Sequence, residues 1–126
     1  MTPQDLVAVL LLKDEREGRQ ILHSHITAFD ENSLAFLVEL IKREADRQWI
    51  KDALVSFTLA GFLLAIGDLT HEKGYHALGL MARGDALRRM NRDRDALPFF
   101  DAAGEEFLAI GDEVGWARTR IGRISA

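Results

Sequence analysis

Asp52-Ala-Leu-Val-Ser-Phe-Thr-Leu-Ala-Gly61 and Asp95-Ala-Leu-Pro-Phe-Phe-Asp-Ala-Ala-Gly104 are two versions of one string, Asp-Ala-Leu-x-x-Phe-x-x-Ala-Gly. Shortly after each comes Leu-Ala-Ile-Gly-Asp, at Leu64 to Asp68 and again at Leu108 to Asp112. The first string recurs after 43 residues (52 to 95) and the second after 44 (64 to 108). Duplicated strings at a nearly constant spacing imply a repeating structural unit. Periods of about 20–50 residues belong to arrays whose units bury their apolar faces against one another. Arrays present surface, so the expected function is binding.

Bulk properties narrow the class. A chain of 126 residues is one domain's worth of material, and a hydrophobic fraction of 48% excludes disorder throughout. Sixteen basic residues stand against twenty acidic ones, for a net charge of −4, so no global basic field is present to hold nucleic acid. There is no cysteine, which removes disulfides, thiolate catalysis and cysteine-based zinc sites together and suits the cytoplasm. Leu6 to Leu12 has no basic region before it and runs into Lys13-Asp14-Glu15-Arg16, unlike a signal peptide. Phe57 to Gly67 is too short to cross about 30 Å of hydrocarbon. The expectation is a soluble cytoplasmic protein with neither a membrane nor a nucleic acid as partner.

Two prolines and few β-branched clusters favour helix. Thr2-Pro3 reads as a cap followed by proline at the first helical position, opening a helix to about Leu12. A second helix is expected over 16–26. A third is capped by Asp30 or Asn32 and runs to about Arg47, with Leu34, Leu37, Val38 and Ile41 as its buried stripe. Trp49 to Ile66 reads as a fourth helix, stopped by Gly67. A fifth covers about 72–90, a sixth 93–110 and a seventh Val114 onward. Pro98 is expected so near the start of the sixth that it costs no backbone bond. Residues 1–30 read as capping helices. The units proper read as 31–68, 69–112 and a partial 113–126.

Within this frame Ala96-x3-Phe100 with Ala103, and Ala53-x3-Phe57 with Ala60, resemble the second-helix signature of the tetratricopeptide repeat. Leu80, Gly84 and Leu87 stand where that family has its first-helix aromatic, glycine and tyrosine, whereas Arg83 replaces the expected leucine. Gly122 repeats the small residue on the last helix, with Ile121 at the leucine place. The resemblance covers about residues 33–126, and the longer spacing is similar to the 40-odd-residue variety of bacterial signalling proteins. It implies an all-α, right-handed solenoid of helical hairpins, about seven helices in all. It further implies a non-catalytic protein–protein interaction scaffold, the N-terminal part of a larger signalling or regulatory protein.

In the resembled fold first helices line a concave groove. That register brings Met81, Asp85, Arg88 and Arg89 to the groove, with Trp116, Thr119 and Arg123 adjacent. Arginine forks there suit the carboxylates of an acidic protein or peptide. The competing reading is a solvated face balanced by Asp85, Asp93 and Asp95. The last helix carries Trp116, Ile121 and Ile124 with no following helix to cover them, so self-association into a homo-oligomer is the alternative function. Phe99, a quarter turn from Phe100, is a candidate exposed aromatic, while Trp49 and Phe62 are assigned to the core.

Chemistry is sparse. His71 and His76 are five apart rather than the four a zinc helix needs, and His23 and His25 diverge on a helix. No nucleophile triad, phosphate loop or dinucleotide fingerprint occurs. The expectation is no enzyme, no metal and no cofactor.

Overall fold

In most of the chain a helix begins where a short acidic or hydroxyl side chain closes the first turn. The computed structural model describes residues 1–125; Ala126, the last residue of the expected third unit, lies outside them. Thr2 and Asp5 bond each other's backbone N–H groups in a capping box ahead of α1 (Pro3–Leu10), which starts on its proline. Asp14 accepts from the Glu17 N–H at 2.8 Å and opens α2 (Glu15–His25), which ends in a single 3-10 turn, Ile26–Ala28. Asp30 accepts from Ser33 at 2.7 Å and opens α3 (Glu31–Lys51). Asp52 opens α4 (Ala53–Thr70), and α5 (Lys73–Arg89), α6 (Asp93–Ala109) and α7 (Glu113–Ser125) follow. The described residues are all-helical, with no strand.

Three connections share one device. His71 (φ 56), Asn91 (φ 60) and Gly111 (φ 75) take the left-handed conformation just past α4, α5 and α6. In each case the next N–H bonds back five residues: Glu72 to Gly67 (3.1 Å), Arg92 to Leu87 (2.8 Å) and Asp112 to Phe107 (2.8 Å). These bonds satisfy helix-end carbonyls and turn the chain sharply back.

Two expected boundaries shift. Trp49 lies on α3, which runs on to Lys51, and a single extended residue, Asp52 (φ −160), separates α3 from α4. Gly67 does not stop α4. It is an interior helical residue, present because α5 passes so close that a Cβ there would lie 2.5 Å from the His76 backbone nitrogen. Glycine marks both positive φ and close approach, and here the second reason applies.

Consecutive helices from α3 to α7 pack on one another. In addition α3 touches α5 and α5 touches α7, whereas α4 and α6 make little direct contact. Helix α1 lies on α3 and α2 on α4. One core cluster joins Leu6, Leu10 and Leu22 to Ile41, Phe62 and Leu63; a second joins Ala77, Met81, Ala96, Phe100 and Phe107. Among the described residues α4 alone is long and apolar enough to cross a membrane, but ten of its eighteen residues are buried in the protein, as in a core helix. Phe100 fills the space between α5 and α7: a Cβ on Gly84 would lie 2.8 Å from its ring, and one on Gly122 2.6 Å.

The structural register differs from the sequence repeat. The residues capping α4 and α6 are 40 apart (Asp52 and Arg92), as are the left-handed residues His71 and Gly111. The close contact of Leu64 with Gly79 recurs as Gly104 with Thr119, again displaced by 40 on both helices. The duplicated string therefore sits about one turn deeper in α6: Asp52 caps α4, whereas Asp95 is the third residue of α6 and pairs with Arg92 at 2.8 Å. Three residues are close to one helical turn, so the string keeps its face while the ends move. Pro98 is consequently the sixth residue of α6 and forfeits the bond to the Arg94 carbonyl, contrary to expectation; it does so on the exposed side.

Candidate functional site

Helices α3 and α5 meet along one side of the molecule, and their C-terminal halves bring together a group of charged side chains around Trp49. On α3, Lys42, Asp46 and Trp49 share a face at i, i+4, i+7; on α5, Asp85, Arg88 and Arg89 share one at i, i+3, i+4. The Arg89 guanidinium carbon lies 4.6 Å from the centre of the half-buried Trp49 ring, and Lys42 Nζ 5.9 Å from it. Lys42 also pairs with Asp46 at 2.6 Å. Arg88 lies 3.6 Å from Asp85, and its buried Nε has no hydrogen-bond partner among the described residues.

Asp85 is only 9% exposed. Burial pushes its carboxyl above the ordinary value, Lys42 and Arg88 pull it back, and Asp46 adds to the rise. Three cations thus face two carboxylates around an aromatic platform. The excess positive charge can attract a further carboxylate, with Trp49 offering apolar contact beside it; the unpartnered Arg88 Nε is itself buried, out of a ligand's reach.

The seven groove residues expected from sequence do not share one surface. Asp85, Arg88 and Arg89 belong to the α3–α5 group. Met81 is buried in the second core cluster and lines a cleft of about 270 Å³ between α5 and α7, with Tyr75, Leu78, Val114 and Arg118. Burial, then Glu72 and Glu31, raise the Tyr75 phenol above its usual value. Trp116 and Arg123 line a separate cleft of about 260 Å³ between α6 and α7, where Arg123 donates to Asp101 at 2.7 Å and Arg120 lies over the Trp116 ring at 5.8 Å. Thr119 lines the same cleft but is only 2% exposed: its hydroxyl donates to the Trp116 carbonyl and its side chain packs on Gly104.

Sequence reading missed Lys42, Asp46 and Trp49 as site residues, because placing Trp49 on α4 broke the α3 stripe that carries them. Trp49 was also expected in the core, yet its ring is held between cations. Phe99 is half-buried against the second core cluster instead of exposed.

The histidines do structural work. His76 Nδ1 lies 2.7 Å from Glu106 Oε1, and Nε2 3.7 Å from Asp68, joining α5 to α6 and to the end of α4. His25 Nδ1 lies 3.0 Å from the Ile21 carbonyl, and His23 is exposed. Among the described residues no three histidines or carboxylates are arranged to hold a metal ion.

No protein-family model, curated protein or solved structure matches this chain. The functional reading accordingly stands on geometry and on the resemblance carried by the duplicated string.

Proposed function

We propose that this chain is a non-catalytic protein–protein interaction scaffold, a cytoplasmic tetratricopeptide-like array that binds an acidic segment of another protein along the α3–α5 side. The observation that carries it is the Trp49 ring with Arg89 at 4.6 Å and Lys42 at 5.9 Å from its centre, next to the Arg88–Asp85 pair on the same stretch of α5. The α3–α5 and α5–α7 contacts support the array reading, as do caps and contacts that recur every 40 residues.

The test is titration of the Trp116→Phe protein, in which Trp49 is the sole tryptophan, with glutamate-rich and lysine-rich peptides. Saturable quenching by the acidic peptide, weakened by salt and by Arg88→Ala with Arg89→Ala, is the expected result. Equal response to both peptides, or none, removes the reading.

Self-association through α7 is the alternative, favoured by the exposure of Ile121 and Ile124. Light scattering across a concentration series on the protein and its Trp116→Asp, Ile121→Asp variant decides it.

A further inference from the structure

In the 40-residue register Gly115 and Arg118 of α7 stand where α5 has Tyr75 and Leu78. Tyr75 and Leu78 pack against the first core cluster, to which α3 contributes Leu37, Val38 and Ile41. On α7 the corresponding aromatic is missing, because a Cβ on Gly115 would already lie 2.5 Å from the Phe107 ring. A cleft of about 270 Å³ between α5 and α7 is what remains. Met81 (6% exposed) and Phe107 (4%) form its floor, with Leu78, Val114 and the exposed Arg118 around its mouth.

The cleft shares a side of α5 with the Trp49 group. Leu78, Asp85 and Arg89, at i, i+7 and i+11, lie on one face of the helix, which puts Leu78 and Arg89 about 16 Å apart along it. Charge is graded along that line. Lys42, Arg88 and Arg89 stand at one end and Arg118 beside the cleft. Burial, then Glu72 and Glu31, raise the Tyr75 phenol, which sets two carboxylates at the far end. A second copy joined across a two-fold axis would set recess against recess and leave both unfilled. A helix placed after α7 as α6 is placed after α5 would pack on α7 away from the cleft, since α6 has little direct contact with α3. A partner segment in extended conformation can do both things at once, filling the recess with one side chain and laying carboxylates on the cations.

We infer that the acidic partner segment carries a second determinant, a large apolar side chain about five extended residues from its carboxylates, which enters the α5–α7 cleft while the carboxylates lie on Lys42, Arg88 and Arg89; this rests on the acidic-segment reading of the α3–α5 group. At about 3.3 Å per extended residue, that separation matches the distance from Arg89 to Leu78. The apolar residue supplies affinity, and the graded charge fixes orientation, because a reversed segment would bring its carboxylates to Glu31 and Glu72.

Three glutamate-rich peptides, titrated into the Trp116→Phe protein, test this. One carries phenylalanine about five residues from its glutamates across a glycine-serine linker, one carries it directly beside them, and one has serine in its place. Trp49 quenching should saturate with all three, and the spaced phenylalanine should tighten binding at least about tenfold over the other two. Val114→Asn, at a residue 64% exposed, and Leu78→Ala should each remove most of that gain and leave binding of the serine peptide as it was. Equal binding of the three peptides, or an equal gain from both phenylalanine placements, would overturn the inference and leave the α3–α5 reading standing. Binding of none would remove both. A gain that survives Val114→Asn would put the anchor outside the cleft, and a dimer of the unliganded protein that Val114→Asn dissolves would make a second copy the occupant; either overturns the inference.

Discussion

Arg83 on α5 pairs with Glu15 in the first turn of α2, sixty-eight residues away, crossing α4 over Gly61. A Cβ on Gly61 would occupy the space the two side chains use, so the glycine is what lets them meet. The Arg83 guanidinium also lies 4.2 Å from the Phe57 ring centre. Burial lowers its proton affinity below the usual arginine value, and Glu15 restores part of it. The residue that breaks the repeat signature thus adds a polar tie from α5 to α2 beside the apolar packing of α2 on α4.

Removing either partner should therefore loosen α2. With side chains 15% and 31% exposed, the pair is less costly to break than a fully buried one, so Arg83→Leu and Glu15→Gln should each cost about 1–2 kcal/mol. The double variant should lose less than the two losses combined, as interacting partners do. Urea denaturation of all four proteins checks this; strict additivity would mean that the pair contributes nothing jointly.

Glycine and histidine at the turns should respond in opposite ways. His71→Gly relieves a left-handed residue that has a Cβ and should stabilise by roughly 1 kcal/mol. Gly67→Ala should destabilise, although alanine is the better helix former, because backbone lies 2.5 Å from the new Cβ. Thermal melts of the two variants provide the comparison, and a stabilised Gly67→Ala protein would contradict the described approach of α5.

The two phenylalanines of the duplicated string should differ. Phe100 is 1% exposed between Gly84 and Gly122, so Phe100→Ala should cost about 3–5 kcal/mol and free α7 to limited proteolysis. Phe57 is only half-buried beneath Arg83, and Phe57→Ala should cost distinctly less. Equal losses in chemical denaturation would show that the two copies have equivalent environments after all.

Acidity should favour the folded state at one site. Because burial raises the Asp85 carboxyl above its unfolded value of 3.8, the ionised form costs stability. That cost is fully present above the raised folded value and disappears as pH falls through it toward 3.8. Asp85→Asn should accordingly raise the melting temperature near neutral pH, with the gain shrinking by about pH 4. A gain that grows on acidification would place the net balance with the attraction of Lys42 and Arg88 instead.

Much of this was legible in the residues themselves. Seven helices, the Thr2 cap and a cap at Asp30 or Asn32 follow from local chemistry and a 3.6-residue period, and the resemblance adds the small residues around Phe100. Such a period specifies which face of a helix is buried but not where the helix ends. The duplicated string accordingly implied a spacing of 43, while the caps and contacts adopt 40, and only the packing of α5 on α4 and α6 selected between them. Gly67 shows the same division: its sequence is compatible with a stop or with a close approach, and the backbone of α5 decided for the second.

The candidate site divides likewise. The arginines of α5 and the apolar residues of α7 could be named from the chain, because exposed charge and uncovered stripes are properties of single helices. Their partners could not. Trp49, Lys42 and Asp46 come to Arg89 and Asp85, and Glu15 to Arg83, through contacts between residues far apart in sequence. Such contacts exist only once the helices have buried their faces, so local pattern determined the elements and tertiary packing determined which side chains meet.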